Sequence, residues 1–532
     1  MSLRLPPLRV TIRHQMEPAN ARAENSSESF LLRFLSSTPK FLLLLAGYFL
    51  LQIILRLITS GTTDLDESEQ LLATQHLQWG YGPQPPLYTW LLYPLVHLSG
   101  PGLLALTVFK NALLFGLYAV MYACARILFR DPVRNTLAAL SLLFLPQVAW
   151  EAQRDLTHSV LVTFLSATTF LVVLRLRCRP HWRLYGALGL CLGAGILSKY
   201  SFLVFAAGLL IAMVAVPSFR QILKNPFVLL TLLICGLVIT PHLVWAADHR
   251  DWVAATATKF KIATGQSWFK TTLTGIWHLV RALGSHLGPL LAIYGLVCWK
   301  RLPNRATPPM EKDALRVMNI ALAGMLSLLL IGILFFRVTE FRDRWFLPLC
   351  FWTPLLLVGI FSGRLNPIRI RRLLTLAAVV ALVVTVLIPA RVRFAKTFKV
   401  PQNLNAPYAQ LARELRSNVP TVNYIIAGDN WVGGNLKLWF PEKFILSPRI
   451  FLERQPQADE ASLLVWDATR NAALPEKLMA FAASLAEVNS NELRYIEAPL
   501  QFWPARRMKI GFTTCRFRGN AESASYSSAD QP

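Results

Sequence analysis

The chain runs to 532 residues, of which 54% are apolar and only 16% charged, with a formal net charge of +25. It is longer than one ordinary domain, and its apolar residues come in repeated long runs. That pattern excludes a simple soluble globule and marks a polytopic membrane protein. In a soluble protein such a charge would suggest nucleic acid. Here the arginines and lysines sit in short clusters between the apolar runs, so membrane topology accounts for them and no nucleic-acid partner is expected.

Residues 1–40 are basic and polar and are expected to form a cytoplasmic arm. The first apolar run, Phe41 to Ile58, starts too far from Met1 for a signal peptide and no small-residue cleavage site follows it, so it reads as an uncleaved first span. Further spans are predicted at Leu103–Ala123, Thr136–Ala149, Ser159–Leu174, Leu184–Leu197, Phe202–Val216 and Phe227–Trp245. The last are Leu287–Trp299 with an earlier start, Val317–Phe336, Phe346–Phe361 and Leu373–Ile388, about eleven in all. Several fall short of the ~20 residues a perpendicular helix needs. Leu184 to Val216 reads as two spans with a tight turn at Ser198-Lys199-Tyr200-Ser201, because the connections on both sides of it are basic.

Orientation follows from the connections. Arg126, Arg130 and Arg134 form one basic cluster; Arg175, Arg177, Arg179 and Arg183 a second; Arg220 and Lys224 a third. Lys300, Arg301 and Arg305, then Arg364, Arg369, Arg371 and Arg372, complete the set expected on the cytoplasmic side. The alternating connections are richer in Asp, Glu, His and Trp: Thr62–Leu92, Trp150–His158, Lys199–Tyr200, Ala246–Thr274 and Arg337–Trp345. They are expected outside the cytoplasm, with everything after Arg391 beside them.

Residues 391–518 change character. Tyr408–Ser417 and Pro475–Val488 read as helices, and Val422–Ala427 and Leu463–Trp466 as strands, which suggests a small α/β domain. Gly428-Asp429-Asn430-Trp431-Val432-Gly433-Gly434-Asn435 lacks the Lys-Ser/Thr of a phosphate loop and reads as a turn. Cys515 is the single cysteine of this domain, so no disulfide is expected within it. Residues 519–532 are polar and expected to be disordered.

The outer connections gather the chemistry. Asp64, Asp66, Glu67 and Glu69 crowd the first; Glu151, Gln153, Arg154, Asp155 and His158 the second; Lys199 and Tyr200 the third. His242, Asp248 and His249 follow, then Arg337, Glu340, Arg342, Asp343 and Arg344. The bland alternatives are a solvated acidic loop, a helix-dipole role for Asp155 and an interfacial place for His242 or for Arg342-Asp343-Arg344-Trp345. Acidic and basic groups meeting at one membrane face also suit a lipid-linked phosphate substrate. A carboxylate serves as general base and cations, or a metal, take up the leaving phosphate. No nucleotide is required.

Asp66-Glu67 after the first span, followed by Trp79-Gly80-Tyr81-Gly82-Pro83-Gln84-Pro85-Pro86-Leu87, resembles the first-loop signature of glycosyltransferase family 39. These C-type membrane enzymes include protein O-mannosyltransferases and bacterial lipid A aminoarabinose transferases. Arg154-Asp155-Leu156-Thr157-His158, Lys199-Tyr200 and Arg342-Asp343-Arg344-Trp345 resemble the family in the same order, with wording nearest the type that includes the rhizobial lipopolysaccharide galacturonosyltransferases. The resemblance spans roughly Phe41 to Phe361. It implies an α-helical C-type glycosyltransferase fold over 41–390 with a small outer α/β domain. It also implies inversion at the anomeric carbon, with a polyprenyl-phosphate sugar donor.

By motif, Asp66 matches the catalytic first-loop aspartate, with Glu67 its acidic neighbour and Asp64 a competitor for the base role. Asp155 matches the second-loop position that places the acceptor or a metal, so Asp66 and Asp155 are the candidate ligands of a divalent ion. Lys199, Arg342 and Arg344 would bind the donor phosphate, and Tyr81, Gln84, Arg154, His158, Tyr200 and His242 would contact substrate. Gln84 departs from the aminoarabinose transferases, which carry a lysine there. The expected function is therefore transfer of a sugar to an envelope glycolipid, glycan or protein. The rival expectation is a transporter or flippase of lipid-linked sugars, against which the chain shows no internal repeat.

Overall fold

The computed structural model describes residues 37–518 except 255–259, 263–266, 300–311, 419–421, 449, 451–459, 470–471 and 490–491. The expected polar tail and all but the end of the basic arm lie outside the described residues. The principal helices of the first part are α1 (Thr38–Thr59), α2 (Leu65–Ala73), α3 (Leu87–Ser99), α4 (Leu103–Leu128), α5 (Pro132–Leu140) and α6 (His158–Cys178). They continue as α7 (Trp182–Ser198), α8 (Phe202–Ala215), α9 (Val228–Asp248), α10 (Trp268–Cys298), α11 (Lys312–Phe336) and α12 (Pro367–Arg393).

Among the described residues, seven helices (α1, α4, α6, α9, α10, α11 and α12) are long and apolar enough to cross a membrane. Two bent pairs raise the number to nine: α8 with Pro217–Lys224, at 107°, and Asp343–Cys350 with Thr353–Ile360, at 60°. Helix α7 is apolar but shorter, and the chain does break between it and α8, at Lys199 to Ser201. The segment expected as one span over Thr136–Ala149 is broken. Helix α5 passes into a 3₁₀ turn at Ser141–Phe144 and then, at Pro146, into a π-helical turn over Gln147–Glu151. A proline has no amide to continue the ladder, and π turns of this kind tend to sit at functional sites. This one leads directly into Arg154 and Asp155.

Hydrophobicity does not drive helix pairing in lipid, so the bundle relies on close packing. Phe170 and Phe205 stack edge-on or tilted against the buried Trp352 at ring separations of 4.9 and 5.5 Å. Leu229, Leu232, Leu233 and Leu237 on α9 instead point outward, as lipid-facing side chains do. Among the described residues the basic connections meet in pairs: Arg134 donates to the carbonyls of Ser362 and Leu365, Ser218 donates to Asp313, and Arg177 lies over Phe219.

One end of the bundle carries a domain of six strands: β1 (Tyr424–Ala427), β2 (Phe444–Leu446), β3 (Ala461–Asp467), β4 (Ala486–Val488), β5 (Arg494–Leu500) and β6 (Trp503–Phe517). The order is β2-β1-β3-β6-β4, with β5 also paired to β6; β1 is parallel to β2 and β3, and the remaining pairings are antiparallel. Helices α13 (Tyr408–Asn418), α14 (Asn430–Trp439) and α15 (Glu476–Leu485) complete it. The stretch read as a turn at Gly428–Asn435 is instead the start of α14. Asp429 caps it by accepting from the Val432 amide at 2.8 Å, a signal that the two glycines obscured. All seven cysteines are free thiols.

Candidate active site

The site grows from a short helix placed directly after the first span. Asp64 caps α2, accepting from the Leu65 amide at 3.0 Å, while Glu67 reaches back to the Asp64 amide at 3.1 Å, a complete capping box. The Asp64 carboxylate also receives Asn403 Nδ2 at 2.7 Å. Of the two competitors for the base role, Asp64 is therefore engaged in capping and docking, whereas Asp66 faces the second outer connection.

There the broken α5 segment delivers Asp155. The Asp66 backbone amide donates to Asp155 Oδ1 at 3.0 Å, and the Thr157 amide donates to the Asp66 carboxylate. Burial pushes the Asp66 carboxyl above its ordinary range, opposed by the charges of Arg344, Lys199 and Lys110 and by the Thr157 amide. Asp155 is raised by burial first, then by the negative charges of Asp66, Asp64 and Glu67. Two carboxyl groups are thus held together where proton affinity is high, the condition a general base requires.

Glu67 has a different environment. Only 1% exposed, it receives Arg56 of α1 at 2.6 Å and Lys110 of α4 at 3.4 Å. Burial alone would raise its carboxyl, but these two cations outweigh burial and hold it at about 2. Lys110 also reaches the Gln153 carbonyl, and Arg56 those of Ser60 and Thr62. Glu67 is thus the anion of a buried three-charge knot that ties α1, α2 and α4 together.

The expected cations divide by position. Lys199 donates to Ser159 Oγ at 2.9 Å, at the start of α6. Half-buried Arg344 acts on Asp66 by charge; next to it, Asp343 accepts from Gln147 at 2.8 Å and Ser285 at 3.1 Å, which anchors that connection. Arg342 is half exposed at 48% and lies 3.9 Å from Glu340. Arg154 pairs with Glu151 at 3.1 Å.

The aromatic turn is built against α9. His242 Nδ1 lies 2.7 Å from the Trp79 carbonyl and Nε2 lies 2.9 Å from the Tyr200 hydroxyl. A carbonyl only accepts, so Nδ1 carries the proton and Nε2 receives the Tyr200 hydroxyl. Trp245 covers Gly80 so closely that a Cβ there would lie 2.2 Å from the ring. Tyr81 is buried, donating to the His76 carbonyl and accepting from the Gln78 amide. His158 meets Gln70 at 3.0 Å and the Tyr88 ring at 5.3 Å. Gln84 is half-buried in the turn. The first, second, third and fifth outer connections thus converge on one face beside the end of α9, and the strand-containing domain sits on that same face, since Ser60 and Thr62 donate to the carbonyls of Leu404 and Ala406.

Sequence reasoning passed over Arg56, Lys110, Asn403 and Asn435. The signal for the first two was present, because a lone charge in an apolar span is costly unless paired. Asp66 and Asp155 form a carboxylate pair rather than a larger cluster: among the described residues no group of three or more His, Cys, Asp or Glu is placed to hold an ion, and the Asp66 carboxylate also faces the charges of Lys199 and Arg344.

Residues 83–245, which include Asp155, Lys199 and His242 but not Asp66 or Arg344, match the family described as dolichyl-phosphate-mannose-protein mannosyltransferase. The chain is 34% identical over 413 residues to the lipopolysaccharide core galacturonosyltransferase RgtB of Rhizobium johnstonii, covering 76% of this chain and 82% of that protein. The chain belongs to this family of membrane glycosyltransferases. A second lipopolysaccharide core galacturonosyltransferase of the same organism, RgtA, is 31% identical over 481 residues, 85% of this chain and 93% of that one. The fold of the transferase is shared with the crystal structure of ArnT from Cupriavidus metallidurans bound to undecaprenyl phosphate. That comparison gives a TM-score of 0.59 at 12% identity, over 89% of this chain and 98% of the other. The transferase is thus a bacterial multi-pass membrane enzyme of the C-type fold.

Proposed function

We propose that this transferase moves a sugar, with inversion, from a polyprenyl-phosphate donor to a glycolipid of the cell envelope, on the periplasmic face of the inner membrane. The observation that carries the reading is the placement of Asp66. It is a half-buried carboxylate with raised proton affinity, hydrogen-bonded into the Asp155 segment and within the field of Lys199 and Arg344.

In the proposed step, Asp66 takes the proton from an acceptor hydroxyl. The acceptor oxygen forms its bond to the anomeric carbon from the face opposite the phosphate. The bond from that carbon to the phosphate oxygen breaks, and the polyprenyl phosphate leaves with the electron pair. Lys199 and Arg344 take up the charge that grows on the phosphate. Asp155 holds the Asp66 backbone, and Glu67 keeps α2 in place from behind.

The relatives named above make galacturonic acid the first donor sugar to test and the lipopolysaccharide core the first acceptor. Membranes containing the transferase are incubated with labelled polyprenyl-phosphate galacturonic acid and core lipopolysaccharide. Wild-type transfer with a loss of about 10²- to 10⁴-fold in Asp66→Asn supports the reading. Transfer undiminished in Asp66→Asn removes the base assignment. Transfer is also expected to persist after exhaustive chelation, because protein cations already face the carboxylates; its loss, restored by one divalent ion, would return Asp66 and Asp155 to a metal-binding role.

A further inference from the structure

The residues that lead into the catalytic helix are held from two sides: Arg56 of α1 takes the Ser60 and Thr62 carbonyls, and the strand-containing domain takes the rest. Thr62 donates its hydroxyl to the Ala406 carbonyl at 3.0 Å. Both backbone groups of Thr63 are taken by Asn435: its Oδ1 accepts from the Thr63 amide at 2.9 Å and its Nδ2 donates to the Thr63 carbonyl at 3.2 Å. Trp431 Nε1 donates to the same carbonyl at 3.0 Å. One turn further along α2, Asn435 reaches the Ser68 hydroxyl at 3.4 Å.

The approach that makes these bonds possible depends on Gly434. A Cβ built there would lie 2.4 Å from the Ser68 Cα and 2.5 Å from the Ser68 carbonyl oxygen, both backbone. No rotamer relieves such an overlap; one helix must move. At the neighbouring Gly433 the nearest atoms are a Leu72 methyl at 3.0 Å and the Ala427 Cβ at 3.1 Å, and the methyl can turn aside. Asn435 is itself fully buried, so its amide has no water to exchange for these partners.

We propose that α14 is the positioning element of the active site: Gly434 and Asn435 act through Thr63 and Ser68 to fix where Asp66 stands relative to Asp155, Lys199 and Arg344. Neither residue touches the reacting atoms. The domain is therefore part of the catalytic apparatus mechanically. The proposal rests on the base role given to Asp66 above.

The test compares wild type, Gly434→Ala, Gly433→Ala, Asn435→Ala and Asp66→Asn as full-length proteins in detergent with donor and acceptor. Folded fraction is measured by size exclusion and thermal melting, and kcat and KM are determined separately. Misplacing a catalytic group by about 1 Å costs on the order of 100-fold, so Gly434→Ala and Asn435→Ala are expected to lose 30- to 100-fold or so in kcat with donor KM within about threefold. Gly433→Ala is expected to retain wild-type kcat. The positioning role is overturned if folded Gly434→Ala turns over at the wild-type rate, or if its loss appears in KM or in folded yield alone. Retained activity in Asp66→Asn would instead indict the base assignment, so the two failures are distinguishable.

Discussion

The backbone amide of Asp66 donates to the Asp155 carboxylate at 3.0 Å, and the carboxylate of Asp66 is itself capped by an amide two residues beyond Asp155. The two outer connections therefore hold one another by their backbones, and the charge of Asp66 falls on Asp155, whose carboxyl is raised by burial and by that charge. In Asp155→Asn the side-chain oxygen still accepts the Asp66 amide, and a carboxyl already protonated in the acid range is replaced by a neutral amide, so the geometry is expected to survive. The acid limb of the kcat/KM profile, which Asp66 sets, is expected to stay in place in Asp155→Asn, and a limb that moves down would show that Asp155 carries its charge where Asp66 titrates.

Glu67 has the opposite sign. Its folded-state carboxyl is held at about 2, below its ordinary value, by Arg56 and Lys110. A depressed acid contributes stability that is present above its unfolded value near 4.3 and is lost as pH falls toward 2. Glu67→Gln leaves two buried cations without their anion, which costs about 3–5 kcal/mol. The variant should show a lower melting temperature in detergent at neutral pH and a melting temperature that depends less on pH between about 5 and 2 than that of wild type. A melting curve indistinguishable from wild type would remove the knot from the account.

Much of this was legible in the chain. Apolar runs and basic clusters alternate, and that alternation placed Thr62–Leu92, Trp150–His158 and Lys199–Tyr200 on one face, where the structure brings them together. Asp66, Asp155, Lys199 and Arg344 were named from motif and do converge. What was not legible depends on distance along the chain. Asn435 lies 372 residues from Thr63, and no local pattern reports that its two amide groups match one peptide unit. Glu67 looked catalytic because it adjoins Asp66, yet on a helix successive residues face about 100° apart, so one turns to the site and the other to Arg56.

The expected phosphate cations are not equivalent. Arg344 is half-buried and its charge acts on Asp66, while Arg342 is 48% exposed beside Glu340, where screening leaves little interaction. Arg344→Met should lower kcat/KM for a lipid-phosphate donor by about 10- to 100-fold, the value of a charge-assisted hydrogen bond, with Arg344→Lys only partly restoring it. Arg342→Met should stay within about threefold, as expected for an exposed pair. Equal losses at the two positions in a steady-state assay would mean that the donor draws both side chains in.

The aromatic turn supplies a final test, because a single ring of α9 ties two outer connections together. His242 donates from Nδ1 to the Trp79 carbonyl and accepts the Tyr200 hydroxyl at Nε2, so it joins the first and third connections. Tyr200→Phe removes one donor from a side chain at the edge of this chain of bonds, a loss of about 1 kcal/mol, and kcat/KM should fall less than tenfold. His242→Ala strips the Trp79 carbonyl of its donor and leaves room for Trp245 to shift against Gly80, so the turn that carries Tyr81 and Gln84 loses its support. A fall of about 10- to 100-fold is expected there. His242→Asn retains an N–H where Nδ1 stood and should recover most of that loss, whereas a ring that acted on substrate directly would not be replaced by an amide. Comparing the three variants by kcat/KM at constant folded fraction therefore separates a supporting histidine from a substrate-binding one.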